Sequence, residues 1–270
     1  MNPSPTPAER PESLVTIDRV DDVSVVTLAR PDKANALDAD LAAGLLAAVR
    51  QVAADGARAA VITGAGTAFS AGGDVRTIQD MQDPDTRAAV LDTHRQLFWE
   101  MLRLPIPTVS AVNGPAVGAG ATVALLADLV VMAEDAYLSD PRVALGLLDG
   151  AGGLIIWPLL TSLSAAREHL LLGDRVSAPE AHRLGLVNRV ATTQRVVLDA
   201  IELAQRLAAL PAQAVRQTRR LLNAPLEAAA EGLLDDCSAA EIACFDSDEH
   251  RNRLDDLIVR IAAREERKTP

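Results

Sequence analysis

Aromatic residues and positive charge are both scarce in this chain of 270 residues. It contains two Trp, one Tyr and three Phe residues, and its formal net charge is −11 with a pI near 4.8. A nucleic-acid-binding surface needs a basic footprint and often aromatic platforms for the bases. The composition therefore excludes nucleic acid as the expected partner, and any polyanionic ligand requires a local patch of positive charge.

Long apolar runs are also absent, because charged residues or prolines interrupt every hydrophobic stretch before it reaches the length of a membrane span. The first residues, MNPSPTPAERPES, contain no hydrophobic signal core. We therefore expect a cytoplasmic protein without membrane contact, in which residues 1–12 form a disordered tail. With 28.5 kDa and 49% hydrophobic residues, the remainder is long enough to bury a large core.

Cysteine and lysine are also rare in this chain. Cys237 and Cys244 are seven residues apart, which is about 10 Å on one helix and too far for a disulfide, so two buried free thiols are predicted. No cluster of His, Cys and carboxylate residues has the spacing of a metal site, and we expect no metal dependence. Of the 26 basic residues, only Lys33 and Lys268 are lysines.

Strand-like and helix-like segments alternate over the first half of the chain. The pattern of residues 14–30 predicts a β-hairpin that turns at Asp21 and Asp22, and Asp38 is placed to cap a helix reaching about Val52. Further strands are expected at 59–64, 107–114 and 127–133. Helices are expected between them, at about 86–103 and 119–127. This order predicts an α/β protein with a parallel sheet and crossover helices.

The pattern changes after Leu147, where helices become dominant. Apart from the short strand LVNRV, nearly everything beyond Thr192 is expected to be helical, and its apolar stripes are typical of helices that pack on another subunit. The helices expected before that point cover about 152–161, 163–172 and 178–184.

Two glycine-rich segments are the strongest sequence signal. They are Phe69–Asp74, with the sequence FSAGGD, and Asn113–Gly120, with the sequence NGPAVGAG, and each follows a predicted strand where a helix can begin. Small residues let the backbone approach a ligand closely, and the first amides of a helix lack intrahelical partners. The two segments can therefore direct two N–H groups at one oxygen, which is the arrangement of an oxyanion hole.

Two other enzyme classes fit this sequence less well. The segment VITGAGTAF suggests a dinucleotide-binding turn, but its third glycine is absent, and Tyr137 has Pro141 where a short-chain dehydrogenase needs lysine. Ser110 lacks the G-x-S-x-G elbow of a nucleophilic serine. The histidines lie in polar helical contexts and are expected to face solvent; they are His94, His169, His182 and His250.

Together with their neighbours, the glycine-rich segments resemble the crotonase family, the enoyl-CoA hydratase/isomerase superfamily, from about residue 14 to the C-terminus. Six motifs occur in order: RPDKANAL, FSAGGD, PTVSAVNGPAVGAG, LGLLDGAGG, GDRVSAPEAHRLGLVNRV and LPAQAVRQTRRLLN. The resemblance implies the ClpP/crotonase-like α/β fold, a spiral of ββα units over residues 13–195, followed by C-terminal helices over 196–270. These helices are implied to build a homotrimer or a dimer of trimers.

The resemblance also implies a coenzyme A thioester as ligand, with no cofactor other than the CoA of the substrate. It assigns the oxyanion hole to the backbone N–H groups of Gly73 and Ala119, which would hold the thioester oxygen as it becomes an enolate. It places the RPDKANAL loop around the adenosine end of CoA, with contacts at Arg30, Lys33, Ala34, Ala36, Ala71 and Lys268. Lys268, in a terminal ERKTP segment, is more simply explained as a solvated tail residue, and Asp74 as a helix cap.

The chain departs from the hydratase pattern at both catalytic glutamates. Thr122 and Arg142 stand at the matching positions, and neither supplies the carboxylate for acid–base catalysis. Asp149 matches the position of a catalytic aspartate in the 1,4-dihydroxy-2-naphthoyl-CoA synthase branch, but it is equally well placed to cap the helix expected near Gly152. Arg142 is either a bidentate partner of a substrate carboxylate or a surface residue.

The resemblance with these departures predicts an acyl-CoA enzyme in which Asp149, helped by Thr122 or Arg142, moves a proton next to the enolate. Isomerisation, formation or cleavage of a C–C bond, and thioester hydrolysis all fit. Two alternatives remain: a weak enoyl-CoA hydratase that positions water with Thr122 and Asp149, and a catalytically inactive acyl-CoA-binding subunit.

Overall fold

The computed structural model describes residues 13–266. The predicted tail, residues 1–12, and Lys268 lie outside the described residues. The strands are β1 Val15–Val20, β2 Val23–Leu28, β3 Ala59–Gly64, β4 Thr108–Val112, β5 Ala116–Val117, β6 Leu129–Ala133, β7 Tyr137–Ser139, β8 Val176–Ser177 and β9 Arg189–Ala191.

The helices follow the strands and cover them. They are α1 Ala39–Ala54, α2 Val75–Asp80, α3 Pro84–Arg103, α4 Ala119–Leu125, α5 Gly153–Leu160, α6 Leu163–Leu172, α7 Ala178–Arg183, α8 Val196–Ala208, α9 Ala212–Phe245 and α10 Asp248–Glu266. Short 3₁₀ helices occupy Pro31–Lys33 and Arg142–Leu145.

The main sheet has six strands in the order β1-β2-β3-β4-β6-β9. β1 and β2 form the predicted antiparallel hairpin, whose turn residue Asp21 has φ = 54°, and every later pairing in this sheet is parallel. All residues of β3 and β4 are buried, as expected for central strands covered on both faces. The carboxyl ends of β3 and β4 therefore bring the two glycine-rich segments to the same edge of the sheet.

A second sheet, with the order β5-β7-β8, lies beyond the second glycine-rich segment. The sequence pattern did not predict it, because strands of two or three residues are too short to show an alternating period. Its pairing of β5 with β7 brings the chain after β7 next to the start of α4. That chain carries Arg142.

Local capping explains why several helices begin where they do. Asp38 accepts a hydrogen bond from the Leu41 N–H at 2.8 Å and caps α1, as predicted. Asp74 likewise caps α2 by accepting from the Arg76 N–H at 2.8 Å, which confirms its predicted role. The α2 helix itself was not predicted, since its six residues give too short a pattern.

The C-terminal region is helical, as predicted, but α8 lies directly against β3, β4 and β6. The division of the chain at residue 195 therefore stays a prediction. The long helix α9 is anchored by Arg219, which is buried and forms an ion pair with Asp128 at 2.7 Å. The Arg219 guanidinium also donates to the carbonyl oxygens of Met101, Leu102 and Leu104.

Over residues 13–266, no helix combines the length and the apolar character that crossing a bilayer requires. The core instead consists of small and branched side chains between the sheet and its helices, with Trp157 and Phe98 among the largest fully buried groups. Cys237 is buried and Cys244 is half-buried, and both are free thiols on α9.

Candidate active site

The loop after β3 presents the N–H group of Gly73. Leu37 pairs with this loop by donating to the Gly72 carbonyl at 2.7 Å and accepting from the Asp74 N–H at 3.4 Å. In such a parallel bridge the N–H of the intervening residue points away from the partner strand. The Gly73 N–H accordingly has no hydrogen-bond partner among the described residues.

The loop after β4 presents a second unpaired donor. Gly118 adopts φ = 51° and ψ = −120°, a conformation open to glycine, and its N–H donates to the Ser139 carbonyl at 2.8 Å. Ala119 follows as the first residue of α4, so its own N–H has no acceptor one turn earlier. Between residues 13 and 266 nothing accepts a hydrogen bond from this N–H.

Backbone contacts hold the two loops together. Ser70 forms a parallel bridge with Ala116, and the Val117 N–H donates to the Ser70 carbonyl at 2.9 Å. Gly72 has φ = 85°, and a Cβ atom at this position would lie 2.6 Å from the Val117 carbonyl oxygen. A side chain would therefore push the loops apart. Gly73 and Ala119 both line one cavity of about 120 Å³.

A larger cleft of about 810 Å³ shares Ala71 and Gly73 with this cavity. Arg30, Lys33 and Ala36 also line it, whereas Ala34 lies beside it, where its carbonyl oxygen accepts from the Ala71 N–H at 2.9 Å. Two isoleucines of α10, Ile258 and Ile261, form another part of the wall.

The cations that line this cleft differ in whether they form ion pairs. Arg30 forms ion pairs with Asp38 and, at 3.6 Å, with Asp74. Lys33 is exposed and has no ion pair with any described residue. Arg76, which the sequence pattern did not single out, also lines the cleft and is exposed. Lys33 and Arg76 thus carry positive charge that can meet a polyanionic ligand, on a wall that also includes Asp40 and Asp80.

Next to the loops that carry Gly73 and Ala119, Arg142 forms the centre of a buried charge cluster. Its guanidinium group contacts Asp140 through two nitrogens at 2.8 and 2.7 Å, and a third nitrogen lies 2.7 Å from Asp149 Oδ1. Thr122 donates through its hydroxyl to Asp149 Oδ2 at 3.3 Å. The structure therefore brings together three predicted site residues, Thr122, Arg142 and Asp149.

Two of the alternatives for these residues are wrong. Asp149 does not cap α5, because Gly152 occupies the cap position; the Asp149 carboxylate instead accepts from the Ala151 N–H at 2.8 Å. Arg142 is not a surface residue, since its side chain is only 15% exposed. Its donors are occupied by two aspartates of the same chain.

Burial and charge set the protonation states in the cluster. Burial raises the pKa of Asp149 to about 6 even though Arg142 favours its charged form. Burial also disfavours the charged form of Asp140, but its contacts with Arg142 outweigh this effect and its pKa lies below the ordinary range. The same two aspartates keep the pKa of Arg142 above its ordinary value despite burial. At neutral pH the cluster therefore contains an arginine cation and two carboxylates.

Sequence reasoning missed two further residues that line the cavity, Glu241 and His94. Glu241 is on α9, 6% exposed, and its Oε2 atom is buried without a hydrogen-bond partner. Burial, with Arg142 nearby, lowers the pKa of His94 to about 4, so this imidazole is neutral. An inward-facing glutamate on the apolar stripe of a predicted helix was the available signal for Glu241.

The expectation that all histidines face solvent is wrong for three of them, of which His169 on α6 is half-buried with its Nδ1 atom enclosed. His250 is fully buried on α10, where its Nδ1 atom lies 2.8 Å from the Leu145 carbonyl oxygen. His94 is half-buried and its Nε2 atom is enclosed at the cavity. His182 is exposed, as expected. Sequence context failed because the helices that cover His94 and His250 are distant in the chain.

Known proteins match both the sequence and the fold. The enoyl-CoA hydratase/isomerase family model matches residues 18–254. The mitochondrial enoyl-CoA hydratase of Pongo abelii is 32% identical over 207 residues, which cover 76% of this chain and 70% of that protein. A crystal structure of an enoyl-CoA hydratase/isomerase from Mycobacterium paratuberculosis has a TM-score of 0.87 and 41% identity, and the match covers 92% of this chain and all of that one.

An isomerase is also among the similar structures. The structure of a monofunctional enoyl CoA isomerase from M. smegmatis is 30% identical, with a TM-score of 0.68, over 80% of this chain and 94% of that one. These matches confirm the predicted crotonase-type α/β fold with its C-terminal helical region. The chain belongs to the enoyl-CoA hydratase/isomerase family.

Proposed function

We propose that the protein is an acyl-CoA-processing enzyme that stabilises a thioester enolate with the backbone N–H groups of Gly73 and Ala119. The observation that carries this proposal is that both N–H groups are unpaired and line the same cavity. Two fixed donors stabilise a negative oxygen because they need no reorganisation during the reaction. Membership in a family that acts on acyl-CoA thioesters supports a thioester as the substrate.

The CoA portion of the substrate is proposed to occupy the 810 Å³ cleft. Arg30 and Lys33 lie on the wall of this cleft, so their positive charge can meet the phosphate groups. The backbone near Ala34, Ala36 and Ala71 is proposed to contact the adenosine end, with Lys268 as a further cation. The acyl portion then continues past Gly73 into the smaller cavity.

The reaction is proposed to move a proton beside the enolate rather than to hydrate by the two-glutamate mechanism. Thr122 and Arg142 occupy the positions where hydratases of the family carry their glutamates. Asp149 is a carboxylate held between these two residues and is proposed to take part in proton transfer. Isomerisation, C–C bond formation or cleavage, and thioester hydrolysis are the reactions that use this arrangement.

The acyl group is proposed to be uncharged near the thioester. Arg142, the cation that lines the small cavity, is already engaged by Asp140 and Asp149. A substrate carboxylate would have to displace one of them, which leaves a buried aspartate without its partner at a cost of several kcal/mol. Apolar side chains such as Ile78, Met81 and Phe245 supply much of the remaining lining.

A second candidate is weak enoyl-CoA hydratase activity. The hydrogen bond between Thr122 and Asp149 favours it, because a hydroxyl and a carboxylate together can position a water molecule. A third candidate is an inactive acyl-CoA-binding subunit.

We also propose that the chain assembles as a homotrimer or a dimer of trimers. Several large apolar side chains on α5, α6 and α9 are exposed in the single chain, namely Leu159, Leu160, Leu171, Leu172, Leu221 and Leu222. Such an apolar surface is typical of a subunit interface. Sedimentation velocity of the purified protein tests this, and a monomer at micromolar concentration would contradict it.

The activity is tested by incubating the protein with a panel of acyl-CoA thioesters and identifying the products by mass spectrometry. Crotonyl-CoA hydration is assayed separately. We expect turnover of a panel member at a rate well above crotonyl-CoA hydration. Faster hydration than any other reaction would favour the second candidate. Tight binding of thioesters without any turnover would favour the third.

A further inference from the structure

Glu241 lies on the same cavity as the two oxyanion donors, although it comes from α9, far along the chain. Its carboxyl group is buried, and Oε2 has no hydrogen-bond partner within residues 13–266. A buried polar atom without a partner is uncommon in a folded protein and calls for an explanation. Oε2 faces the backbone of Gly150, and the same side chain lines the cavity in which a substrate would react.

The loop that follows Asp149 is shaped to admit this side chain. A Cβ atom at Gly150 would lie 2.0 Å from Glu241 Oε2 and 3.0 Å from Glu241 Cδ. Any larger residue at position 150 would therefore displace the Glu241 carboxyl group. Glu241 and the loop between Asp149 and Gly152 thus form one closely fitted unit.

The charges around Glu241 hold its carboxyl group neutral. Arg142 already pairs with Asp140 and Asp149, so one guanidinium group faces three carboxyl groups. Burial raises the pKa of Glu241 to about 8; the charges of Asp149 and Asp140 add to the effect, and the charge of Arg142 opposes it. At neutral pH Glu241 is therefore mostly a carboxylic acid.

The other titratable groups near Glu241 are uncharged at neutral pH. His94 on α3 is a neutral imidazole. Burial raises the pKa of both thiols of α9, Cys237 and Cys244, so they stay protonated. Besides burial, the pKa of Glu241 thus depends on the charges of Arg142, Asp149 and Asp140 and on the Gly150 backbone N–H, which lowers it.

We propose that Glu241 is the catalytic acid–base that exchanges a proton with C2 of the bound acyl-CoA, and that Asp149 takes part in this proton transfer only by positioning Arg142, without touching the substrate. This assignment rests on the proposed acyl-CoA function. It is supported by the lining of the cavity, which includes Gly73, Ala119 and Glu241 but not Asp149. Asp149 lies instead on a separate cavity on which Arg142 also lies.

Groups of the site account for the proton, the electron pair and the negative charge of the transfer step. The ionised Glu241 removes a proton from C2, the C2–H electron pair becomes the enolate, and the thioester oxygen takes its negative charge between the Gly73 and Ala119 N–H groups. In the reverse direction the Glu241 carboxylic acid returns the proton to C2. In D₂O the carboxylic acid exchanges its proton with solvent, so deuterium enters C2 of the thioester.

The test is deuterium incorporation at C2 of butyryl-CoA and phenylacetyl-CoA in D₂O, followed by mass spectrometry. We expect Glu241→Gln to lower the exchange rate by at least about 100-fold. Asp236→Asn removes an exposed carboxylate from the same helix and is the matched control, with an expected rate near that of the wild type. Calorimetric titration with butyryl-CoA and a thermal melt show that Glu241→Gln is folded and binds the thioester.

The pH profile separates a catalytic from a positioning role. Exchange begins with the carboxylate form of Glu241, so the wild-type rate should rise with pH and level off above about pH 8. Removing the charge of Asp149 makes Glu241 easier to ionise. Asp149→Asn should therefore move the rising limb of the pH profile to lower pH.

The outcomes distinguish this inference from the proposed function. Failure of the wild type to bind any thioester would overturn the proposed function itself. Binding without exchange in the wild type, or exchange in Glu241→Gln within about threefold of the wild-type rate, would overturn only the role of Glu241. Loss of exchange in His94→Gln together with its retention in Glu241→Gln would assign the proton transfer to His94 and also overturn it.

Discussion

The two oxyanion loops, which carry Gly73 and Ala119, meet the buried charge cluster at a cavity lined by Arg142 and Glu241, but different forces hold the two regions. The loops are fixed by main-chain hydrogen bonds between neighbouring segments, such as the pairing of Leu37 with Gly72 and of Ser70 with Val117. The cluster of Asp140, Arg142, Asp149 and Glu241 is held by charge balance under burial. The loops should therefore be insensitive to pH, whereas the cluster should respond to any change in charge.

The largest effect is expected from removing the cation of the cluster. Arg142→Met leaves Asp140 and Asp149 buried without their partner, which should cost about 3–5 kcal/mol of unfolding free energy. Urea denaturation at pH 7.5 measures it. Arg183→Met is the control, because Arg183 pairs with Glu180 on an exposed face and should change the stability little. Equal losses in both variants would contradict the special position of the buried cluster.

The second-largest effect is expected from removing one of the two unpaired N–H groups of the loops. Ala119→Pro removes one oxyanion N–H at the first position of α4, where helices tolerate proline, and should lower kcat about 100- to 1000-fold. Steady-state kinetics with the substrate found in the thioester panel measure this. Ala212→Pro makes the same change at the exposed start of α9 and should leave kcat nearly unchanged. A similar kcat for both variants would mean that the Ala119 N–H does not take part.

The cluster should make stability fall as pH rises, whereas His94, whose pKa burial lowers to about 4, makes stability rise up to about pH 6.5. The pKa values of Asp149 and Glu241 are raised, so their stabilising contribution is complete below about pH 4 and is lost as pH rises through 6 and 8. Above pH 6.5 the effect of Glu241 remains, so the wild-type Tm should fall by roughly 3 °C between pH 7 and pH 8.5. Glu241→Gln should flatten the upper part of this curve, and Asp236→Asn should not. Parallel curves for the wild type and Glu241→Gln would contradict the raised pKa of Glu241.

The smallest effect is expected outside both regions, in the cleft. Lys33→Ala removes an exposed, unpaired cation and should raise KM roughly threefold at low salt, with less change in 0.5 M NaCl. Arg220→Ala removes an exposed cation from α9 and serves as the control. A KM that rises equally in both variants would show a general effect of net charge rather than a phosphate contact.

The loops could be predicted from the sequence because their signals are local. Glycines after buried strands, and Asp38 and Asp74 as caps, mark positions whose conformation depends on a few neighbours. The parallel pairing of the later strands in the main sheet followed from the alternation of strands and helices. The same local reasoning could not detect the β5-β7-β8 sheet, whose strands are shorter than one readable period.

The cluster could be predicted only in part, because its composition depends on packing between distant segments. Thr122, Arg142 and Asp149 were found by motif position, yet the engagement of Arg142 by two aspartates was not foreseen. Glu241 was missed because only the docking of α9 brings its carboxyl group to Gly150. The stripe of its own helix can indicate that such a residue is buried, but not which residue 91 positions away it contacts.

The contacts of Arg219 indicate the order in which parts of the site form during synthesis. Its partners, Asp128 and the carbonyl groups of Met101, Leu102 and Leu104, are synthesised 91 or more residues before it. A chain emerging from the ribosome can therefore pair its central strands and form its oxyanion loops before α9 is available to dock. The site is completed last, when one late helix delivers its acid, so an interrupted chain would have the thioester cradle and no Glu241 to move the proton.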